Sequence, residues 1–277
     1  MPMYLSSKKN SFIFFLVTTL FSFTSCLKKV PQTSDVEATH VKNCCPDHVE
    51  LPAIRDEDVI VRHTGFVLSF NTTYKDANWV AYELTNAELQ GQEKRTNHFI
   101  PDPDVPGGSA TTEDYRNSGY DRGHLVPAAD MKWSTDAMHD CFYLSNITPQ
   151  VHTFNAGSWE HLEEQVRYWA TVYGKVFVVT GPIFEGKIKT IGTHHIGVPS
   201  HFYKVILECN DNEQKAIGFV MANASSHAPL KQFAVSVDSV ESLTGIDFFN
   251  GLPDSIENKL EAVEKFNSWP FTVSNGR

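Results

Sequence analysis

The chain has 277 residues, 41% hydrophobic and 12% aromatic, which is enough for one large core and too apolar for a disordered polypeptide. Its formal net charge of −10 excludes bulk positive charge as a source of affinity for a polyanion, and argues against tight, processive binding to one. A polyanionic partner would need a local basic groove on an acidic body, or a metal ion supplying the positive charge.

Residues 1–26 read as an export leader. Lys8 and Lys9 form a positive start, and Ser11 to Phe23 an apolar run too short to span a bilayer comfortably. Phe23-Thr24-Ser25-Cys26 resembles a bacterial lipoprotein cleavage site, which would leave Cys26 lipidated and attached to a membrane. The expected location is therefore exported, as a periplasmic or outer-membrane lipoprotein, with secretion behind an ordinary signal peptide or a retained anchor as the alternatives. Residues 27–58 are polar, interrupted by Pro31, Pro46 and Pro52, and read as a flexible tether. Cys44 and Cys45 lie in this stretch and could each pair with Cys141 or Cys209; the connectivity is open.

Residues 59–277 read as one domain. Phe66–Phe70 and Trp79–Leu84 are β-rich runs split by turn residues, a meander. Arg95 precedes Phe99-Ile100-Pro101-Asp102, and Gly107 to Asp114 make a loop. Residues 155–174 carry the best helical pattern, with Trp159, Leu162, Val166, Trp169 and Tyr173 on one stripe and Gly174 as the stop. Asn155, Trp159, Glu163 and Arg167 are each four apart, drifting about 40° per step on a regular helix, so Asn155 and Glu163 are expected along one edge. Buried strands follow at Val176–Thr180, Phe202–Leu207 and Ala216–Ala222. Asp238 with Glu241 and Asp254 with Glu257 look like capping boxes for two short helices.

The chemistry concentrates between Asp121 and Arg167. His124 titrates near neutral pH and suits a general base. Asn155 offers a hard carbonyl oxygen of the kind Mg²⁺ accepts, and the planar fork of Arg122 matches phosphate oxygens. Tyr120-Asp121-Arg122-Gly123-His124-Leu125, Leu144 to Gln150, and Asn155 to Glu163 together resemble the DNA/RNA non-specific endonucleases, whose ββα-metal site includes endonuclease G. Echoes at Thr180–Phe184, Val198–Lys204 and Leu243–Gly245 extend the resemblance over roughly residues 60–266.

The resemblance implies an α+β fold, with a mixed or antiparallel central sheet, packed helices and a ββα-metal finger. It implies hydrolysis of DNA and RNA phosphodiesters with little sequence or sugar specificity, leaving 5′-phosphate ends. His124 would be the base and Asn155 the ligand of one Mg²⁺, with Mn²⁺ able to substitute. Glu163 would hold a metal-bound water. Arg95 and Arg122 would sit near the phosphate, and Asn146, Gln150 and Arg167 would contact substrate. A homodimer is compatible with it.

Rival roles remain open for several residues. Asn155 could cap the helix, Glu163 could pair with Arg167 at i,i+4, and Arg122 could brace the fold through Asp121. Asn146 and Gln150 could stabilise turns. His194, His195 and His201 lack zinc-ligand spacing and read as loop and strand residues. Two other functions compete: a binding lipoprotein that kept the fold without catalysis, and a zinc-dependent phosphoesterase.

Overall fold

In a computed structural model of the chain, the structure describes residues 45–210, 214–264 and 266–272. The leader, with Cys26, and most of the expected tether lie outside them. Residues 45–58, expected as the end of the tether, run along the domain: Val49 is fully buried, the Ala53 N–H donates to the Asp247 carbonyl at 2.9 Å, and the Arg55 guanidinium donates to that of Gly245 at 2.7 Å.

The elements follow in chain order as β1 (Val59–His63), β2 (Phe66–Asn71), β3 (Asp76–Thr85), α1 (Thr112–Tyr115), β4 (Asp121–His124), α2 (Thr135–Asp140) and β5 (Ile147–Gln150). Then come α3 (Glu160–Tyr173), β6 (Lys175–Ile183), β7 (Lys189–Ile191), β8 (Ile196–Val198), β9 (His201–Cys209), β10 (Gln214–Ala222), β11 (Ala234–Val235), α4 (Val237–Thr244) and α5 (Asp254–Glu261). Seven strands form one antiparallel sheet in the order β1-β2-β3-β6-β9-β10-β11, and β4–β5 and β7–β8 form separate two-stranded pairs. The expected α+β class, with a large antiparallel sheet and packed helices, holds.

Both faces of the sheet are covered, so its central strands read as apolar runs whose alternate residues serve two cores. On β3, β6 and β9, Val80, Tyr82, Val178, Phe202 and Ile206 face the α3 side with Leu162, Val166 and Trp169. Trp79, Ala81, Phe177, Val179, Tyr203 and Val205 face the other side with Val237, Val240 and Leu260 from α4 and α5. The period of two places Lys204 of β9 on the α3 side, between Phe202 and Ile206.

Two helix starts differ from expectation. Ser236 caps α4, its hydroxyl accepting from the Ser239 N–H at 3.2 Å, so Asp238 sits inside the first turn; α5 starts after Pro253 with no side-chain cap. The long helix does end at Gly174, with φ +83°, a backbone state that glycine takes without steric cost. Its start is irregular: 154–159 form a π-type turn in which Ala156 (φ −88°, ψ 19°) and Gly157 (φ −136°, ψ −111°) leave helical geometry, and the regular helix begins at Glu160. The four-residue line from Asn155 to Arg167 assumed an unbroken helix, and this break leaves Asn155 and Trp159 outside the regular helix that carries Glu163 and Arg167.

Candidate active site

Strands β4 and β5 pair with Asp121 opposite Gln150, Gly123 opposite Thr148 and His124 opposite Ile147, and the π-type turn and α3 follow directly. This is the strand–strand–helix order expected from the sequence. The pairing leaves no room for a side chain at position 123, where a Cβ would lie 2.1 Å from the Gln150 carboxamide.

The ββα unit borders an open cleft of about 560 Å³, lined by Arg95, Phe99, Tyr115, Arg116, Arg122 and Asn155 among others. Arg95 and Arg122 are exposed, their guanidinium groups 5.3 Å from the Phe142 ring centroid and 4.4 Å from that of Phe99. Both arginines are thus steadied by aromatic faces while their donors stay free for an anion. The cleft's acids are already engaged, Glu113 by Arg116 at 3.2 Å and Asp121 by two neighbours described below. A locally basic groove therefore exists on this acidic chain.

His124 stands one ring behind the cleft wall, 5.5 Å from Phe99 and edge-on to Phe142 at 4.8 Å, and is 7% exposed. Burial, and secondarily the charge of Arg95, pull it down to about 3, so the ring is neutral at working pH. Its Nε2 has no hydrogen-bond partner among the described residues. A neutral, buried imidazole nitrogen with nothing bound to it is a proton acceptor awaiting a donor.

Asn155 reaches the cleft because of the break after it. Its Nδ2 donates to Asp121 Oδ2 at 2.9 Å, and the same oxygen is 2.8 Å from His152 Nδ1. With the amide nitrogen tied down, the amide oxygen is left for another contact. Asp121 is the residue the sequence reading undervalued: it orients Asn155, whereas Arg122 is held by Phe99. Its place in β4, opposite the strand leading into the turn, was the available signal.

Glu163 and Arg167 lie elsewhere. Arg167 Nη1 donates to Asp130 Oδ1 at 3.0 Å, and the Tyr82 hydroxyl donates to Asp130 Oδ2 at 3.0 Å. Lys204 is fully buried beside them, its Nζ 4.8 Å from the Trp159 ring centroid. Burial raises Glu163 against the opposing pull of Lys204 and Arg167, and lowers Lys204. Like His124, Glu163 and Arg167 stand behind the residues that line the cleft.

Asn146 is spent inside the fold. Its Oδ1 accepts from the Val126 N–H at 2.9 Å, and its Nδ2 donates to the Val126 and Cys141 carbonyls at 3.1 and 2.8 Å, so the geometry gives it a turn-holding role. Gln150 is buried, and its amide has no partner among the described residues. His194 Nδ1 meets Asp114 at 2.8 Å, a loop contact as expected. Asp130 and Lys204 were not anticipated; a lysine inside the apolar run Phe202 to Leu207 was the only hint.

Comparison with known proteins places this geometry. Residues 34–255 match the family described as DNA/RNA non-specific endonuclease. The mitochondrial nuclease EXOG of Danio rerio is 39% identical over 207 residues, covering 69% of this chain and 60% of that protein. Mitochondrial endonuclease G of Bos taurus is 39% identical over 199 residues, covering 66% of this chain and 67% of that one. In a solved structure titled as the EndoG/EndoGI complex, which concerns EndoG inhibition, one chain superposes with a TM-score of 0.69 at 31% identity, covering 74% of this chain and 90% of that one. These relatives correct the expectation of export: they are mitochondrial nucleases, which points to a mitochondrial rather than an exported location. Among the described residues no helix is long and apolar enough to cross a membrane. The match over most of the chain, on a sheet and ββα unit shared with a solved relative, makes the chain a member of the DNA/RNA non-specific endonuclease family, whose proteins are nucleases.

Proposed function

We propose that the chain is a divalent-metal-dependent endonuclease that hydrolyses phosphodiester bonds in DNA and RNA, with His124 as general base and Asn155 as the metal ligand. The observation that carries this is an asparagine on the cleft wall, its amide nitrogen anchored and its oxygen left over, with a neutral imidazole of unpartnered Nε2 packed behind Phe99 on the same wall.

The donor set fits a hard cation: a lone carbonyl oxygen suits Mg²⁺, which keeps several waters and takes few protein ligands. When bound, such an ion would neutralise phosphate charge and stabilise the departing oxygen. The residues supply the rest. Arg95 and Arg122 draw the phosphodiester into the cleft and hold its non-bridging oxygens by charge-assisted hydrogen bonds. His124 Nε2 accepts the proton of a water as that water's oxygen attacks phosphorus. The bond from phosphorus to the 3′-oxygen breaks, leaving a 5′-phosphate on one product and a 3′-alkoxide that takes a proton from solvent. Phe99 and Phe142 pack against the imidazole and hold it in place. Asp121 acts through Asn155 by fixing its amide. Nothing in this scheme reads a base edge, which fits low sequence specificity.

The test is cleavage of supercoiled plasmid and of RNA by the purified chain, with Mg²⁺, with Mn²⁺ and with EDTA, beside His124→Ala and Asn155→Ala. Loss of cleavage in both variants and in EDTA is expected, with circular dichroism unchanged. Full activity in His124→Ala or in EDTA would end the proposal. Binding without cleavage by a folded wild-type chain would favour a non-catalytic binding protein, and rescue by Zn²⁺ alone a zinc phosphoesterase.

A further inference from the structure

On the sheet face away from α3, a second concentration of carboxylates has no ion-pair partner among the described residues. Asp238 and Glu241 of α4 and Glu261 of α5 each bring one oxygen to within 4.8 Å of the others. Among the described residues neither these three nor Glu257, one turn earlier on α5, has an ion pair. Glu261 is only 5% exposed, and among the described residues its buried Oε1 has no hydrogen-bond partner; nor has the buried Oε1 of Glu257. Glu241 spends one oxygen on the Phe248 N–H at 2.8 Å and keeps the other. The helices are not loose: Val237, Val240 and Leu260 are packed into the core beneath them.

Burying a carboxylate with neither a cation nor a donor costs free energy, and crowding like charges beside it costs more. We propose that Asp238, Glu241 and Glu261, with Glu257 alongside, form a structural site for a hard divalent cation, Ca²⁺ in preference to Mg²⁺, that ties α4 to α5. Several carboxylate oxygens from two helices match the six to eight oxygen ligands Ca²⁺ takes, whereas Mg²⁺ demands a tighter octahedron. The site is separate from the cleft and makes no use of Asn155 or His124.

The test counts ions and reads stability as well as cleavage. Asn155→Ala is used as the background, so that any cleft ion is removed, and the full comparison is repeated in the wild type. At a hundredfold excess of Ca²⁺ over its Kd, Tm is expected to rise by about 5–10 °C. Terbium luminescence should saturate at one ion in the Asn155→Ala background. Glu261→Gln should raise Tm without Ca²⁺, by relieving repulsion, and should abolish the response to Ca²⁺. Asp238→Asn, on an exposed residue that cannot unfold the helix, should weaken terbium binding at least tenfold. Made in the wild type, where cleavage can be read, both variants should cut plasmid as the wild type does. Equal Ca²⁺ responses in Glu261→Gln and its parent, or no response to 10 mM Ca²⁺ in the parent, would overturn the site; so would a larger response to Mg²⁺ than to Ca²⁺.

Discussion

The ββα unit carries two polar centres that differ in kind. At its mouth, Arg95, Arg122 and Asn155 face an open cleft, and His124 waits behind Phe99 with an unpartnered nitrogen. Beneath it, Asp130, Arg167, Glu163 and Lys204 are gathered among Trp159 and Tyr82: Arg167 and Tyr82 pair with Asp130, and the buried Lys204 ammonium lies over Trp159 with no hydrogen-bond partner among the described residues. Asn155 precedes the break at Ala156 and Gly157, and Glu163 and Arg167 follow it on α3. The upper groups border an opening and carry excess positive charge, while the lower set is largely buried with two cations against two carboxylates. Access and charge balance, more than residue type, separate the two.

The sharpest way to break that distinction is at His124. His124→Ala is expected to lower cleavage about a thousandfold or more, in line with the loss of a general base, while the urea midpoint holds or rises. A similar loss accompanied by unfolding would move His124 to the structural side. Arg167→Met should do the reverse: leaving Asp130 buried without its cation is expected to cost about 3 kcal/mol in denaturant melts, with cleavage per folded molecule nearly intact. A large fall in activity at full stability would return Arg167 to the substrate-contact role its sequence position first suggested.

Asp121→Ala sharpens the boundary, because Asp121 touches no substrate in the proposed scheme. Freed of its anchor, Asn155 should bind the metal about 10–100-fold more weakly, seen as a higher Mg²⁺ requirement with near-normal cleavage at saturating metal. An unchanged Mg²⁺ requirement would remove Asp121 from the site. A last effect, felt only below neutral pH, concerns His124 itself. His124 folds with its pKa lowered from 6.5 to about 3, so between those values the unfolded chain holds one more proton than the folded one. Stability should then decline on acidification by about 1.4 kcal/mol per pH unit from this group, a slope that His124→Ala removes. Indistinguishable slopes would mean that the imidazole is less buried than its surroundings imply.

The ordered motifs from Arg95 to Glu163 were enough to name the family, the fold class and the candidate base and ligand. They work at that level because each depends on short-range spacing: the strand Asp121–His124, the strand ending at Gln150, and the turn that starts a helix. The alternating apolar runs gave the strands, and Gly174 the helix end, for the same local reason. The break after Asn155 was not legible because a π-type turn has no residue signature that spacing detects; the spacing from Asn155 to Glu163 describes an ideal helix only.

By itself, then, the sequence determined which segments form strands and helices and which residues could do phosphodiester chemistry, since both follow from neighbours along the chain. Tertiary structure alone decided that Asn146 is consumed by Val126 and Cys141, that Arg167 answers Asp130, and that Lys204 lies under Trp159. The last two tie α3 to the segment at Asp130, and the turn before α3 to β9, and burial and pairing exist only once folding has brought those segments together.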